Sequence, residues 1–320
     1  MKLISLTCFI SESILRYMGE TENPATSAAP VPEPRVRAPR RGGYAWRYFG
    51  DMRSGLMAPQ LLLLQVCHPV VGAGVRDHSD FRATPWARLV RTLLSLSTVI
   101  YGGQLAAEAE AKRLLGVHSA MRGVDPAGRR YHALDPEAYH WVHATLVKGP
   151  VDAQRLFGRG MSEEEVEGYY QEMRGVGRVW GIGPRHLPRD WTGFLRYYET
   201  MVEDRLELNE SVSAVLEELR RPARPFRWIP GPLWWPFAAL ASRYARLVTI
   251  GTLDPVLRQR LALDWSARDE RSLRRFARLV RLLSALVPPP LRIAGSLAIA
   301  YWATHGPATD PRTRRPLGAE

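Results

Sequence analysis

Two short stretches of this sequence hold its densest groups of potentially reactive side chains. Arg88-Leu-Val-Arg91-Thr92 sets two guanidiniums and a hydroxyl at i, i+3 and i+4, which is one face of a helix. Beyond a glycine break at Gly102-Gly103, His118-Ser-Ala-Met-Arg122-Gly123 predicts a second helix, with His118 and Arg122 sharing a face one turn apart. Two adjacent helices would then present one imidazole, three guanidiniums and a hydroxyl to the space between them. Burying such a set without an anionic, polar partner is costly. A haem meets the requirement. It takes a neutral imidazole for iron and cationic donors for its propionates, and Leu114, Leu115, Val117 and Met121 offer an apolar slot for the macrocycle. Spacing alone leaves other partners open, because a histidine on a helix more often packs and hydrogen-bonds than ligates.

The elements that must position these residues read as helices throughout. Pro85 suits a helix start, and Trp86 to Ile100 carries apolar residues at helical spacing. Gln104 to Met121 is rich in Ala, Glu, Lys and Leu, all strong helix formers. Leu61 to Val66 is an apolar run stopped by His68-Pro69. Asp135-Pro136-Glu137 is an N-cap followed by proline at the first helical position, which predicts a helix through Val147. Ser162-Glu-Glu-Glu165 is a capping box for a helix to about Val179, and Leu187-Pro-Arg-Asp190 opens another. Thr200 to Leu219 continues that helix or forms its own, and further helices fit 233–248, 255–263, 266–286 and 290–304. No stretch alternates convincingly as a strand. The expected fold is all-α, a multi-helix bundle with a globin-like, haem-holding core. It spans 44–305, preceded by an amphipathic N-terminal helix (1–19) and a disordered linker (20–43) and followed by a disordered tail (306–320).

A net charge of +12 invites a nucleic-acid reading, which weakens on inspection. Only Lys2, Lys112 and Lys148 are lysines, a skew that suits coding bias as well as a phosphate-binding surface. No basic cluster is interleaved with aromatics in the way single-strand binders use, so no nucleic-acid partner is expected. Cys8 and Cys67 form no CxxC pair, which excludes a zinc ribbon and a disulfide framework. The N-terminus lacks a basic region and a small-x-small cleavage site, so the expected location is cytoplasmic. Peripheral contact with a membrane stays open, on three features: the stripe Leu3, Leu6, Ile10, Ile14 and Tyr17, the arginine excess, and the segment Trp228 to Phe237. That segment has three tryptophans among prolines, which suits a membrane interface. The favoured reading is a loop whose indoles cap the core or line a pocket. A di-iron site is weakly signalled, since Glu137-Ala-Tyr-His140 is a Glu-x-x-His with no second copy.

Several elements together resemble the family of latex-clearing rubber oxygenases and the fungal mycophenolate-pathway oxygenase. They are Gln65-Val-Cys-His68-Pro69, Gly74-Val-x-x-His78-Ser-Asp80-Phe81, Arg88-x-x-Arg91-Thr92, Tyr101-Gly102, His118-x-x-x-Arg122-Gly123 and Tyr131-x-Ala-Leu-Asp135-Pro-Glu-x-x-x-Trp141-Val-His143-Ala-Thr. They span Trp46 to Val147, with weaker similarity to about Pro290. The resemblance implies an oxygenase with a b-type haem acting on a small apolar substrate, alkene- or isoprenoid-like, with dioxygen bound opposite a proximal histidine. It makes His118 the iron ligand, Arg122 and Arg88 haem-associated, and Arg88, Arg91 and Thr92 the distal catalytic group. Arg91 departs from the family, which has lysine there; a lysine can lose its proton and ligate iron, whereas a guanidinium stays protonated. The family's proposed glutamate base has no counterpart upstream of Arg88, where His68, Asp77, His78 and Asp80 are the nearest candidates. The alternative from a different class is a cofactor-free helical binding protein at a membrane surface.

Overall fold

The computed structural model of the protein describes residues 37–79, 84–224 and 229–305, with side chains as far as Ala300. The expected N-terminal helix, most of the linker, the tail, Asp80, Phe81 and Trp228 lie outside the described residues. Among those described, fifteen α-helices and one small hairpin form an all-α bundle. In chain order the helices are α1 (Tyr44–Tyr48), α2 (Met52–Gly55), α3 (Ala58–Cys67), α4 (Pro69–His78), α5 (Pro85–Tyr101) and α6 (Gly103–Ser119). The hairpin β1 (Arg122–Val124) and β2 (Arg130–His132) follows, then α7 (Pro136–Phe157), α8 (Glu163–Val179), α9 (Trp191–Asp204) and α10 (Glu210–Arg220). The remainder is α11 (Gly231–Thr252), α12 (Pro255–Arg260), α13 (Ala267–Ala285), α14 (Pro289–Arg292) and α15 (Ala294–His305).

Helix α7 is the spine. Its N-cap Asp135 accepts from the Ala138 N–H at 3.0 Å, which satisfies one of the donors every helix start leaves open. Trp141 is fully buried, and its indole N–H donates to the Leu64 carbonyl at 2.8 Å, tying α7 to α3. Tyr169, Tyr170 and Met173 of α8 and Phe194 of α9 complete this side of the core. On the other side, Met57, Ala153 and Phe157 pack against Leu247 and Val248 of α11 and Leu273 and Ala277 of α13.

Three expectations about the elements are corrected. First, α7 does not stop at Val147 but runs through Pro150 to Phe157. Proline removes one backbone donor, so the Leu146 carbonyl loses its usual N–H, and the Tyr169 hydroxyl donates to it instead at 3.4 Å. Second, β1 and β2 pair antiparallel, Arg122 with His132 and Val124 with Arg130, around a turn at Asp125–Gly128. Third, the helix expected over 233–248 starts at Gly231 and takes in the tryptophan pair, of which Trp235 lies 70% exposed and caps no core. The stretch from Thr200 resolves into two helices, with Asn209 capping the second by accepting from the Val212 N–H at 3.1 Å.

If the Tyr169 hydroxyl replaces the missing donor, Tyr169→Phe costs about 1 kcal/mol by urea unfolding. In a Pro150→Ala background, where the backbone N–H returns, that cost falls towards zero; an equal cost in both backgrounds contradicts the exchange.

Candidate functional site

Helices α5 and α6 pack against each other on either side of Gly103, whose φ of 78° suits glycine and turns the chain between them. Arg88 and His118 each stand fifteen residues from that pivot, at the far end of their helices. The two halves of α5 differ sharply. Leu94, Ser95, Ser97, Thr98, Val99, Ile100 and Tyr101 are all buried, whereas no residue from Pro85 to Leu93 is. The Arg88–Arg91–Thr92 face therefore lies on the loosely covered half, with both arginines partly buried and Thr92 exposed. The Thr92 hydroxyl donates back to the Arg88 carbonyl at 3.1 Å, which fixes its rotamer.

His118 closes the last turn of α6. Its ring meets the Tyr139 ring edge-on, with centroids 5.7 Å apart, and so links α6 to the start of α7. The Nδ1 atom is buried and has no hydrogen-bond partner. Burial, helped by the nearby Arg113 guanidinium, pushes the imidazole pKa down to about 4, so the ring is neutral at pH 7. An unpartnered nitrogen on a neutral, partly buried imidazole is the donor type that haem iron requires. In this respect the residue fits the group.

Arg122 is not placed as expected. The helix ends at Ser119, where the Met121 N–H closes onto the His118 carbonyl and the Ala133 N–H bonds the Met121 carbonyl. Strand pairing then draws Arg122 into β1, where it is exposed. His118 and Arg122 are neighbours along the chain, but they do not share a helical face. One carboxylate in this region has no precedent in the sequence reading. Glu110, one turn before Leu114 on α6, is 3% exposed and held end-on by Arg113 at 2.7 and 2.9 Å. Its only sequence signal was the i, i+3 pairing with Arg113.

A second polar group lies on α7, facing α8 and α9. His143 is 1% exposed, and its Nε2–H donates to the Met173 carbonyl at 2.8 Å, which leaves Nδ1 as a bare acceptor. His140 stacks on Tyr197 at 4.1 Å between centroids, and Trp180 meets His143 edge-on at 5.8 Å. The Tyr197 hydroxyl and the Trp180 indole N–H are also buried without partners. Burial lowers the His140 pKa to about 3 and the His143 pKa to about 4. The neighbouring His68 is likewise lowered by burial, although Glu137 at 3.3 Å opposes the shift. Glu137 itself accepts from Arg205 at 2.6 and 2.9 Å, so the Glu137–His140 pair is spent on packing and charge pairing. Among the described residues, no three His, Cys, Asp or Glu side chains converge as a metal-holding group. A haem needs only one protein nitrogen. A shallow cleft of about 290 Å³ beside Arg76 and Arg129 includes none of these residues, and both arginines are paired with carboxylates.

Comparison with known proteins now decides the family. Residues 46–282 match the catalytic domain described as ER-bound oxygenase mpaB/B'/rubber oxygenase, which covers both polar groups and most of the bundle. The chain belongs to this family. Its helical bundle is therefore an oxygenase-family catalytic domain. It is 26% identical over 234 residues to the uncharacterized proteins Mb2261 of Mycobacterium bovis and Rv2237 of Mycobacterium tuberculosis. Those matches cover 71% of this chain and 87% of each relative. No solved structure matches.

The buried imidazoles set a pH dependence whose sign is fixed. Each has a folded pKa below the ordinary 6.5, so the unfolded chain binds protons first as pH falls. Their stabilisation is complete above pH 6.5 and is lost on acidification towards pH 4. Unfolding free energy should drop in that window by up to about 1.4 kcal/mol per pH unit for each imidazole. Urea unfolding at several pH values checks this, and a flat profile from pH 7 to 4 contradicts it.

Proposed function

We propose that the protein is a haem-dependent oxygenase acting on a small apolar substrate, with His118 as the iron ligand. The observation that carries this reading is the neutral, partly buried imidazole whose Nδ1 has no partner, standing on the helix that packs against the helix bearing Arg88, Arg91 and Thr92. Bound there, a haem b supplies the redox-active iron at which dioxygen is activated. His118 needs no proton removed before it can donate its lone pair at pH 7. Arg88, and Arg122 from the strand that follows, are the residues assigned to the carboxylates of the macrocycle, which guanidiniums bind by charge-assisted hydrogen bonds.

Arg91 and Thr92 are assigned to the substrate side. A guanidinium offers hydrogen-bond donors and no acceptor, so Arg91 is assigned to orient an electron-rich oxygen by donating to it. Thr92 adds a short hydroxyl on the same face. The exposed Leu89, Val90 and Leu93 make the approach to this half of α5 apolar, which suits an alkene or isoprenoid-like substrate and excludes a strongly hydrated one.

An absorption spectrum of the purified full chain tests the reading. A Soret band is expected, lost in His118→Ala while circular dichroism stays helical. A colourless, folded preparation that ignores added haemin contradicts the proposal, as does an undiminished band in His118→Ala. With a polyisoprenoid or terpenoid present, Arg91→Ala should keep the band and slow oxygen uptake by about a hundredfold.

A further inference from the structure

The net charge of this protein is not spread over its surface. From Leu219 to Leu253 the chain contains six arginines and no carboxylate, and from Arg271 to Thr309 it again contains six arginines and no carboxylate. These twelve account for the whole formal +12; of 44 basic residues, 32 remain elsewhere against 32 acidic ones. Seven of the twelve, Arg243, Arg246, Arg271, Arg274, Arg275, Arg278 and Arg281, lie on one feature, the hairpin of α11 and α13, and the others fall on the chain that leads into it and the chain that follows it. Its arms run antiparallel, as two side-chain contacts show. Tyr244 meets Phe276 with ring centroids 5.2 Å apart, and Arg246 bonds Asp269 at 2.7 Å, so numbers rise along one arm as they fall along the other.

Along each arm the exposed side chains change character at the same level. On α11 the outer end exposes Leu233, Trp235, Phe237 and Leu240, and the inner part exposes Arg243 and Arg246. On α13 the order is reversed. Arg271, Arg274, Arg275 and Arg278 come first, then Leu279, Leu282, Leu283 and, just beyond its end, Leu286, which is 80% exposed; Arg281 among these leucines donates to the Leu156 carbonyl at 3.0 Å. Antiparallel pairing therefore stacks the apolar ends together and the arginines together behind them. Monomeric proteins rarely expose a contiguous apolar patch of this kind. From Leu233 to Leu240 the apolar end is about 10 Å long at the helical rise, which matches the depth to which interfacial helices enter the headgroup and acyl boundary.

We propose that the outer half of the α11–α13 hairpin docks on an anionic lipid bilayer, with its leucines and aromatics in the interface and its arginines among the headgroups. No single described helix is long and apolar enough to cross a membrane, and the proposal needs only that the outer end of the hairpin dips into the interface. Charge selects lipid over a second copy of this chain, because two-fold pairing would oppose arginine-rich faces, and the carboxylates nearest them, Asp269 and Glu270, already pair with Arg246 and Arg274 of the same chain. Nucleic acid would leave the outermost leucines and Phe237 in water. The surface also adjoins the oxygenase face. Trp86 at the start of α5 donates to the Ala223 carbonyl at 2.8 Å, and Trp234 donates to the adjacent Pro222 carbonyl at 3.1 Å. The exposed Trp86, Leu89 and Val90 of α5 thus begin where the hairpin begins, which gives a substrate dissolved in the bilayer a short apolar route to Arg91 and Thr92. The docking rests on the surface alone and does not depend on haem.

Flotation of the full chain with vesicles tests it. Binding is expected to phosphatidylcholine vesicles carrying about 30 mol % phosphatidylglycerol, and to be at least about tenfold weaker with phosphatidylcholine alone or in high salt. The variant W235E/F237E/L286E changes only exposed residues, and an unchanged melting temperature confirms its fold; it should lose flotation while keeping any Soret band. R274Q/R275Q/R278Q should lose most of the lipid-charge dependence. Wild-type protein that stays off anionic vesicles at low salt overturns the proposal, as does full binding by the glutamate variant. Sedimentation showing a dimer that only the glutamate variant breaks, without lipid binding, would assign the face to self-association. Tight binding of single-stranded oligonucleotide with no flotation would assign it to nucleic acid.

Discussion

A neutral imidazole held at the junction of a helix end and the bundle's spine is the constraint on which the rest of this account depends. Taking a histidine out of water favours its uncharged form, and the molecule does this at His118 while leaving one ring nitrogen unbonded. A buried polar atom with no partner is an uncommon feature that asks for an explanation. The surroundings offer few alternatives. Tyr139 contributes a ring edge, and Arg113, the charge named beside it, already holds Glu110.

The division of α5 into a buried and an uncovered half follows from the same requirement. Its C-terminal residues lock the hairpin with α6 into the core, where Tyr101 reaches the Trp46 carbonyl at 3.0 Å. The N-terminal half, with Arg88, Arg91 and Thr92, is left less tightly packed next to the start of α11. A tightly packed half anchors the helix in the core, and the looser half carries the residues proposed to meet substrate. The segregation of charge onto α11 and α13 continues the pattern. The bulk of the molecule is electrically balanced, and the excess falls on this hairpin and the chain that flanks it.

Much of the architecture could be read from local signals. The capping box at Ser162 and the N-caps at Asp135 and Asp190 act within three residues, so their helices were legible. The face shared by Arg88, Arg91 and Thr92 needs only the helical period. Failures came where a distant partner overrode a local preference. Pro150 reads as a stop, but a hydroxyl from α8 takes over the missing bond. Arg122 reads as the next turn of α6, but pairing with His132 draws it into a strand. Gly231 to Phe237 offered both a loop rich in proline and tryptophan and the start of a helix at 233, and the helix forms because proline at an early helical position does not prevent it. The His140–Tyr197 stack joins residues whose proximity no spacing rule encodes, and the i, i+3 spacing of Glu110 and Arg113 does not tell that the carboxylate is buried.

The most direct measurement of the central claim is the iron–nitrogen stretch in the resonance Raman spectrum of the reduced, haem-loaded protein. The account predicts a band that shifts when histidine is labelled with heavy nitrogen and that is absent in His118→Gly until imidazole is added back. A band that persists unshifted, or one that survives removal of the His118 side chain without added imidazole, contradicts it.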